Sequence, residues 1–255
     1  MKQQRILALL KLQYKSLIRV PTAFLLILVL PIVLTLVFGL GFGSIYVDEY
    51  GPFQSGTIFD FILPGFFAIS GLFMAIPVTL SFSEDRELGL LKRISTTPTT
   101  AAEFIGSHII SNMSMAIIQV AIIGFLTLLM GGLRNQTPVV MILAFLIMIV
   151  FSLSTIGFGL IAATIAKSAK AAGGIVWIFL LPQQLLAANL YPFPPEFKVI
   201  SMFMPLHYAS DSLALLFYGV ALSDLRIWVD LGMLILYSLV LVIVGILLFK
   251  KYGKT

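Results

Sequence analysis

Charged residues divide this chain into long uncharged runs. There are 28 residues without a charge between Arg19 and Asp48, 23 between Asp60 and Glu84, and 30 between Glu103 and Arg134. Three more follow: 32 between Arg134 and Lys167, 25 between Lys170 and Glu196, and 19 between Asp230 and Lys250. Each run is near or above the roughly 20 residues that cross a bilayer core at ~1.5 Å per residue. The pattern predicts six membrane spans, at about residues 22–46, 61–83, 105–131, 138–166, 172–190 and 229–249. They are expected to be helices, because backbone groups in lipid must find partners within their own segment. The period-two alternation of a membrane barrel is absent. Two shorter uncharged runs, 199–210 and 212–223, lie either side of Asp211. Their length suits re-entrant or interfacial helices within 195–224, with Asp211 as the solvated hinge.

Residues 1–20 break the pattern differently. Ile6, Leu9, Leu10, Tyr14 and Leu17 share one helical face, while Lys11, Lys15 and Arg19 form a stripe on another. That is the arrangement of an interfacial amphipathic helix; a plain basic anchor flanking the first span is the simpler alternative. The recurring charges and the lack of an apolar core before Arg19 argue against a cleaved signal peptide.

Composition makes the class firm. The chain is 60% hydrophobic and 11% charged, with a mean hydropathy of +1.08 over 255 residues. A soluble domain of this length has no core large enough for that much apolar surface. The expected fold is therefore an all-α, polytopic membrane protein. Its parts are an N-terminal interfacial helix (1–20) and a single six-helix transmembrane domain (21–255). With the N-terminus inside, 13 of the 16 Lys and Arg fall on cytoplasmic pieces, leaving Arg134, Lys198 and Arg226 outside. This places both termini in the cytoplasm of a multi-pass protein of the cell membrane. The net charge of +5 then reflects topology and contact with anionic lipid, not nucleic acid.

Candidate chemistry is sparse. Cysteine is absent, which removes disulfides and thiolate sites. His108 and His207 are expected on opposite sides of the membrane. Gly253-Lys254-Thr255 resembles the end of a phosphate loop, but Leu248 stands where that loop requires glycine. No catalytic residue or metal site is expected. No Asp, Glu, Lys or Arg is expected well inside a span, so a proton relay is not foreseen. Asn112, Gln119, Gln183, Gln184 and Asn189 read mainly as interhelical glue. Gly39-x-Gly41-x-Gly43 and Gly157-x-Gly159 read as close helix packing or a dimer face. Pro31, Pro64, Pro77 and Pro182 are candidate kinks.

Residues 84–104 stand apart. EDRELGLLKRISTTPTTAAEF carries seven charges in 21 residues between two uncharged runs. Glu84, Asp85 and Glu87 read as the start of a short helix and Lys92 and Arg93 as its end, matching the helix dipole. Leu88, Leu91 and Ile94 give an apolar ridge, and Pro98 disfavours helix at Thr97. On composition alone a solvated loop fits at least as well.

Glu84-Asp85-Arg86-Glu87-Leu88-Gly89-Leu90-Leu91-Lys92-Arg93-Ile94, Thr97-Pro98 and Glu103-Phe104-Ile105-Gly106 resemble the permeases of the ABC-2 family. That family carries an acidic E-R-E-x-G-T-L-K-R-L helix, a T-P turn and an E-F-I-x-G-K entry between spans two and three. Leu90 replaces the usual Thr, and Ser107 the Lys. Leu181-Pro182, Met204-Pro205-Leu206-His207-Tyr208-Ala209-Ser210-Asp211-Ser212-Leu213 and Tyr218-Gly219 resemble its outer segment, with Ala214 where Arg is frequent. The likeness covers the whole chain and is closest to the drug-resistance and lipid-export branch.

The resemblance implies the membrane subunit of an ATP-driven exporter of hydrophobic or amphiphilic substrates. Two such chains, identical or different, would pair, each on a separate ATP-binding subunit. ATP and Mg would sit on that partner, and this chain would bind no cofactor. A coupling helix at 84–98 would contact the ATPase through Glu84, Asp85, Arg86, Glu87, Leu88, Gly89, Leu91, Lys92, Arg93, Thr97 and Pro98. Lys167 and Lys170 would make a second contact, although a bare basic loop explains them as well. Pro182, Pro205, Asp211 and Tyr218 would belong to an outer gate. The alternatives are an ATP-independent channel or carrier, or export of polysaccharide or glycolipid.

Overall fold

The computed structural model describes residues 2–19, 21–47, 56–89, 100–131, 136–188, 190 and 195–252. Apart from one two-residue antiparallel pair, β1 (Tyr46–Val47) with β2 (Gly56–Thr57), every described element is a helix. In chain order they are α1 (Lys2–Arg19), α2 (Pro21–Phe42), α3 (Ile58–Leu72), α4 (Ala75–Glu87) and α5 (Ala101–Leu129). Then come α6 (Pro138–Ile165), α7 (Ala169–Leu186), α8 (Pro195–Ser201), α9 (Pro205–Phe217) and α10 (Leu225–Tyr252).

Among the described residues, five helical stretches are long and apolar enough to cross a membrane: Ile58–Glu87, Glu103–Leu129, Pro138–Ile165, Ala169–Leu186 and Leu225–Phe249. α2 adds an uncharged helix of 22 residues, of which Val29–Phe42 is described to its side chains. The charge-free runs thus correspond to five or six apolar spanning helices, as the pattern predicts.

Local chemistry sets the ends. Thr57 caps α3 and Asp60 reaches back to the Thr57 N–H, closing a capping box; Thr100 and Glu103 do the same for α5. Thr137 caps α6 ahead of Pro138 at its first position. Pro77 explains why α3 and α4 are separate segments of one span. Its ring displaces the carbonyl of Phe73, four residues back, and the helix tightens into a turn at Phe73 and Met74 before resuming.

This broken span is the centre of the bundle. Its most apolar 18-residue stretch is 89% buried, against 44% for the next, in α6. Phe59, Leu63, Phe67, Ile69 and Leu72 from α3 meet Ile147, Met148 and Phe151 from α6 and Leu206, Leu213 and Leu216 from α9 in the main core. Gly157 and Gly159 let other helices come close. A Cβ on Gly157 would stand 2.7 Å from the Leu241 backbone, and one on Gly159 2.8 Å from the Ala75 carbonyl. The Gly157-x-Gly159 pair therefore serves packing within the chain. Gln119 donates to the Ser70 carbonyl (2.7 Å), joining α5 to α3, whereas Asn112 bonds back to His108 in its own helix. Asn189 lies outside the described residues.

Contacts sort the helix ends into two groups. One end of the bundle gathers α1, the close of α4, the start of α5, the close of α6 and the close of α10. We call it the termini end. The other, the hairpin end, gathers β1–β2, the start of α3, the close of α7, and α8 and α9. His108 lies at the first and His207 at the second. At the termini end, α1 docks on α5: Gln13 donates to Ser107 Oγ (3.1 Å) and the Tyr14 hydroxyl meets Ser114 Oγ at 2.5 Å. Leu9 packs toward Phe82 and Phe104, while Lys11 and Lys15 are exposed. The side chains of Ile6, Leu17 and Arg19 lie outside the described residues.

At the hairpin end the structure corrects one expectation. The short helices are α8 and α9, and the break between them falls at residues 202–204. Pro205 causes it: the residue before proline is pushed into extended backbone, and Met204 has φ −117° and ψ 128°. Asp211 is no hinge. It sits half-buried in the middle of α9.

Candidate functional site

The acidic motif closes a helix rather than opening one. Glu84, Asp85, Arg86 and Glu87 form the last turn of α4, Leu88 is its C-cap, and Gly89 follows at φ +65°. Gly89 ends the helix because a side chain there would be strained in the left-handed region. Leu91, Lys92, Arg93, Thr97 and Pro98 lie outside the described residues, so of the expected 84–98 helix only 84–89 is seen.

Three carboxylates at a helix C-terminus oppose the helix dipole. Two of them have partners elsewhere. Nε2 of His108 donates to Oδ2 of Asp85 at 2.8 Å, joining α5 to α4. His108 is buried, stacked on Phe82 (ring centroids 4.0 Å) and edge-on to Phe104 (4.6 Å), with Phe249 of α10 closing the group against both phenylalanines. Glu87 Oε1 accepts the Ala169 N–H at 2.7 Å, at the N-terminus of α7, where a negative charge is favoured.

Arg86 carries the favoured sign for its position and does more. Its Nη1 donates to the Thr164 carbonyl (3.2 Å) and its Nη2 to the Ala166 carbonyl. These are carbonyls that the end of α6 leaves without helical partners. One turn of α4 therefore holds the end of α6, the start of α7 and the first turns of α5. The α6–α7 link is completed by Ser168, whose side chain caps α7 through the Ala171 N–H (3.1 Å).

Around this junction is an exposed surface. Leu88 is 72% exposed and Ile165 58%. Glu84, Glu87, Lys167 and Lys170 are exposed beside them in the chain. The two expected contact regions, 84–89 and 167–170, are thus brought together by the Glu87–Ala169 bond. Asp85 and Arg86 are turned to internal partners, which spacing did not reveal, because it put the acidic charges at the start of a helix, where they suit the dipole, and not at the end of α4.

The expected outer-gate residues are at the hairpin end and are tied in place. Tyr218 donates to the Phe61 carbonyl (2.9 Å), and Gln136 to the Phe217 carbonyl (2.6 Å). Gln183 accepts the Leu206 N–H (3.3 Å), and Ser210 donates to the Ala187 carbonyl (2.6 Å). Pro205 is buried and Pro182 exposed, one residue before Gln183. Gly65 permits the closest approach here, since a Cβ would stand 1.9 Å from the Ala188 carbonyl. His207 lies 3.3 Å from Ser201 Oγ. Burial lowers its pKa, Asp211 works against that, and Lys198 adds to it.

One residue departs from the sequence reading. Asp230 lies in the second turn of α10, inside the span, and is buried. Charge counting placed it at the border. The helical stripe Ile227, Asp230, Leu234, Ser238 was the signal that would have placed it inward.

Among the described residues, no group of three His, Asp or Glu is placed to hold a metal ion. The profile of the family described as "ABC-2 type transporter" matches residues 4–218. The chain is also 25% identical over 157 residues to the probable multidrug ABC transporter permease YbhR of Escherichia coli strain K12, and equally to the protein of that name in E. coli O157:H7. That match covers 59% of this chain and 42% of each relative, so the chain spans under half the length of the curated relatives it matches.

Proposed function

Since this chain belongs to the ABC-2 type transporter family, we propose that it is the membrane-spanning subunit of an exporter whose ATP hydrolysis occurs on a separate subunit. Two such chains pair. Substrates are hydrophobic or amphiphilic and leave across the cell membrane, with the termini end in the cytoplasm. The excess of Lys and Arg at that end supports this orientation. ATP and Mg stay with the partner.

The observation that carries the proposal is the junction built on the last turn of α4. Asp85, Arg86 and Glu87 hold α5, α6 and α7 beside an exposed surface of Leu88, Glu84, Lys167 and Lys170. A force applied there reaches four helices as one body, because each bond links a different helix end. The partner docks on the exposed residues; the three bonded ones transmit. The likeness to a protein named as a probable multidrug permease supports an amphiphilic cargo.

Co-purification tests this reading. Leu88→Asp with Lys170→Glu alters only exposed positions, so the bundle is expected to stay intact. Wild type should retain an ATPase from solubilised host membrane, and the variant should lose it. An absence of ATPase with wild type, where other complexes survive, would sink the proposal. The buried Asp230 is the one feature that favours an ion-driven carrier instead; transport by reconstituted chain alone, without ATP, would establish that reading.

A further inference from the structure

The central span is broken at Phe73 and Met74, halfway between Ile58 and Glu87. Up to the break its bonds are regular, ending with the Phe73 N–H on the Ile69 carbonyl (3.2 Å). Then the register slips. The Met74 N–H bonds to the Gly71 carbonyl rather than to that of Ser70, and the Ile76 N–H to that of Phe73 rather than Leu72 (3.2 and 3.1 Å). Pro77 has no N–H to offer Phe73. Proline alone does not enforce such a slip, since Pro31, Pro64 and Pro182 lie inside helices that continue.

The freed Ser70 carbonyl lies in the middle of a span, where a neighbouring helix must supply its donor. Gln119 of α5 does so through Nε2 at 2.7 Å, and its side chain is 1% exposed. Oε1 of the same amide is buried without a hydrogen-bond partner. Gln119 is therefore kept at the break at the cost of an unpaired acceptor, which simple adhesion between helices does not require.

The two halves of the span are tied to different neighbours. In α3, Phe66 lies against Phe38 of α2 (ring centroids 4.3 Å) and Phe67 against Phe217 of α9 (5.9 Å), while the Phe61 carbonyl accepts the Tyr218 hydroxyl. In α4, Thr79 donates to the Gly159 carbonyl of α6 (3.2 Å), Arg86 holds the end of α6 and Glu87 the start of α7. α6 runs unbroken past both halves and meets α3 through apolar side chains, a contact that can shear.

We propose that the break is a hinge between these two groups of helices, and that Gln119 is the positioning residue that sets its angle through the Ser70 carbonyl. α4 is a lever of 13 residues, about 20 Å long. A change of ~10° at the break moves its Glu87 end by roughly 3 Å. This use of the hinge rests on the exporter reading, in which the partner pushes on that end. The test needs the chain alone, so its failure leaves the ATPase co-purification result untouched.

The chain has no cysteine, so pairs of spin labels can be placed without removing any. One pair crosses the hinge: Leu40→Cys in α2 with Ala171→Cys in α7. The other, Val139→Cys in α6 with Ala171→Cys, does not. All three positions are exposed. Electron paramagnetic resonance in phosphatidylcholine nanodiscs reads both distances. Gln119→Met keeps the length of the side chain and loses the donor. It should shift or broaden the first distance by about 3 Å and leave the second unchanged. Pro77→Ala restores the N–H that Phe73 lacks. In that background Gln119→Met should have no effect, because a regular helix needs no outside donor at Ser70, whereas mere packing by Gln119 would give the same change in both backgrounds. An unchanged first distance, equal changes in both backgrounds, or an equal change in the second pair would overturn the proposal. Should Pro77→Ala not insert, the two distances in Gln119→Met decide alone.

Discussion

Replacing Arg86 by Gln removes the charge and the fork that hold the end of α6. The Thr164 and Ala166 carbonyls then lose their donors. A hydrogen bond to a charged group contributes about 1.5–3 kcal/mol when well buried. Arg86 is half-exposed, so solvent screening reduces each to about 1 kcal/mol. The favourable cation at two helix C-termini, those of α4 and α6, adds roughly 0.5 kcal/mol. The expected loss is about 2–3 kcal/mol, or roughly 30- to 150-fold in the unfolding equilibrium. Unfolding by dodecyl sulfate in mixed micelles, followed by circular dichroism, measures it. Arg86→Lys keeps the charge but not the planar fork, and should recover less than half the loss. Because Glu87 secures the same α6–α7 link, Arg86→Gln with Glu87→Gln should cost less than the sum of the single changes. A loss below about 0.5 kcal/mol for Arg86→Gln, the range of an ordinary surface change, would refute the junction as a mechanical tie.

The other predictions concern both ends of the bundle. Asp85→Ala leaves buried His108 Nε2 without its acceptor and should destabilise by about 1–3 kcal/mol in the same assay. Gly65→Ala drives a Cβ against the Ala188 carbonyl, and the forced shift of α3 from α7 should cost about 1–3 kcal/mol. Tyr218→Phe removes one tether of α9 and should cost about 0.5–1.5 kcal/mol, with faster hydrogen exchange confined to α9. The exposed Asp224 carboxyl is pulled down to about 2, first by its side-chain bonds to Arg226. A depressed carboxylate stabilises above its unfolded value near 3.8 and loses that contribution as pH falls through the folded one. Carboxyl carbon NMR should therefore show Asp224 ionised at pH 3, and a midpoint near 3.8 would contradict the pair.

The charge spacing determined a great deal by itself. Uncharged runs of 19 to 32 residues without the period-two alternation of a barrel strand read as membrane helices, because a helix satisfies its backbone within its own segment. Pro77 could be read as a kink because proline disturbs the turn before it, whereas Pro31, Pro64 and Pro182 lie inside helices that continue and the break at Pro205 was put at Asp211 instead. The acidic motif was read the wrong way round: its spacing put Glu84, Asp85 and Glu87 at the start of a helix, and they close α4 instead. What the sequence could not assign was direction and partner. Asp85, Glu87 and Arg86 look alike as charged residues on one turn, yet they serve three different helices 23, 82 and 78–80 residues away in sequence. Asp230 looked like a border residue until α10 began at Leu225 and turned it inward. Propensity and hydropathy are sums over near neighbours, and they set where helices start, stop and meet lipid. Which side chain faces which depends on how the helices rotate and pack, and only the tertiary structure fixes that.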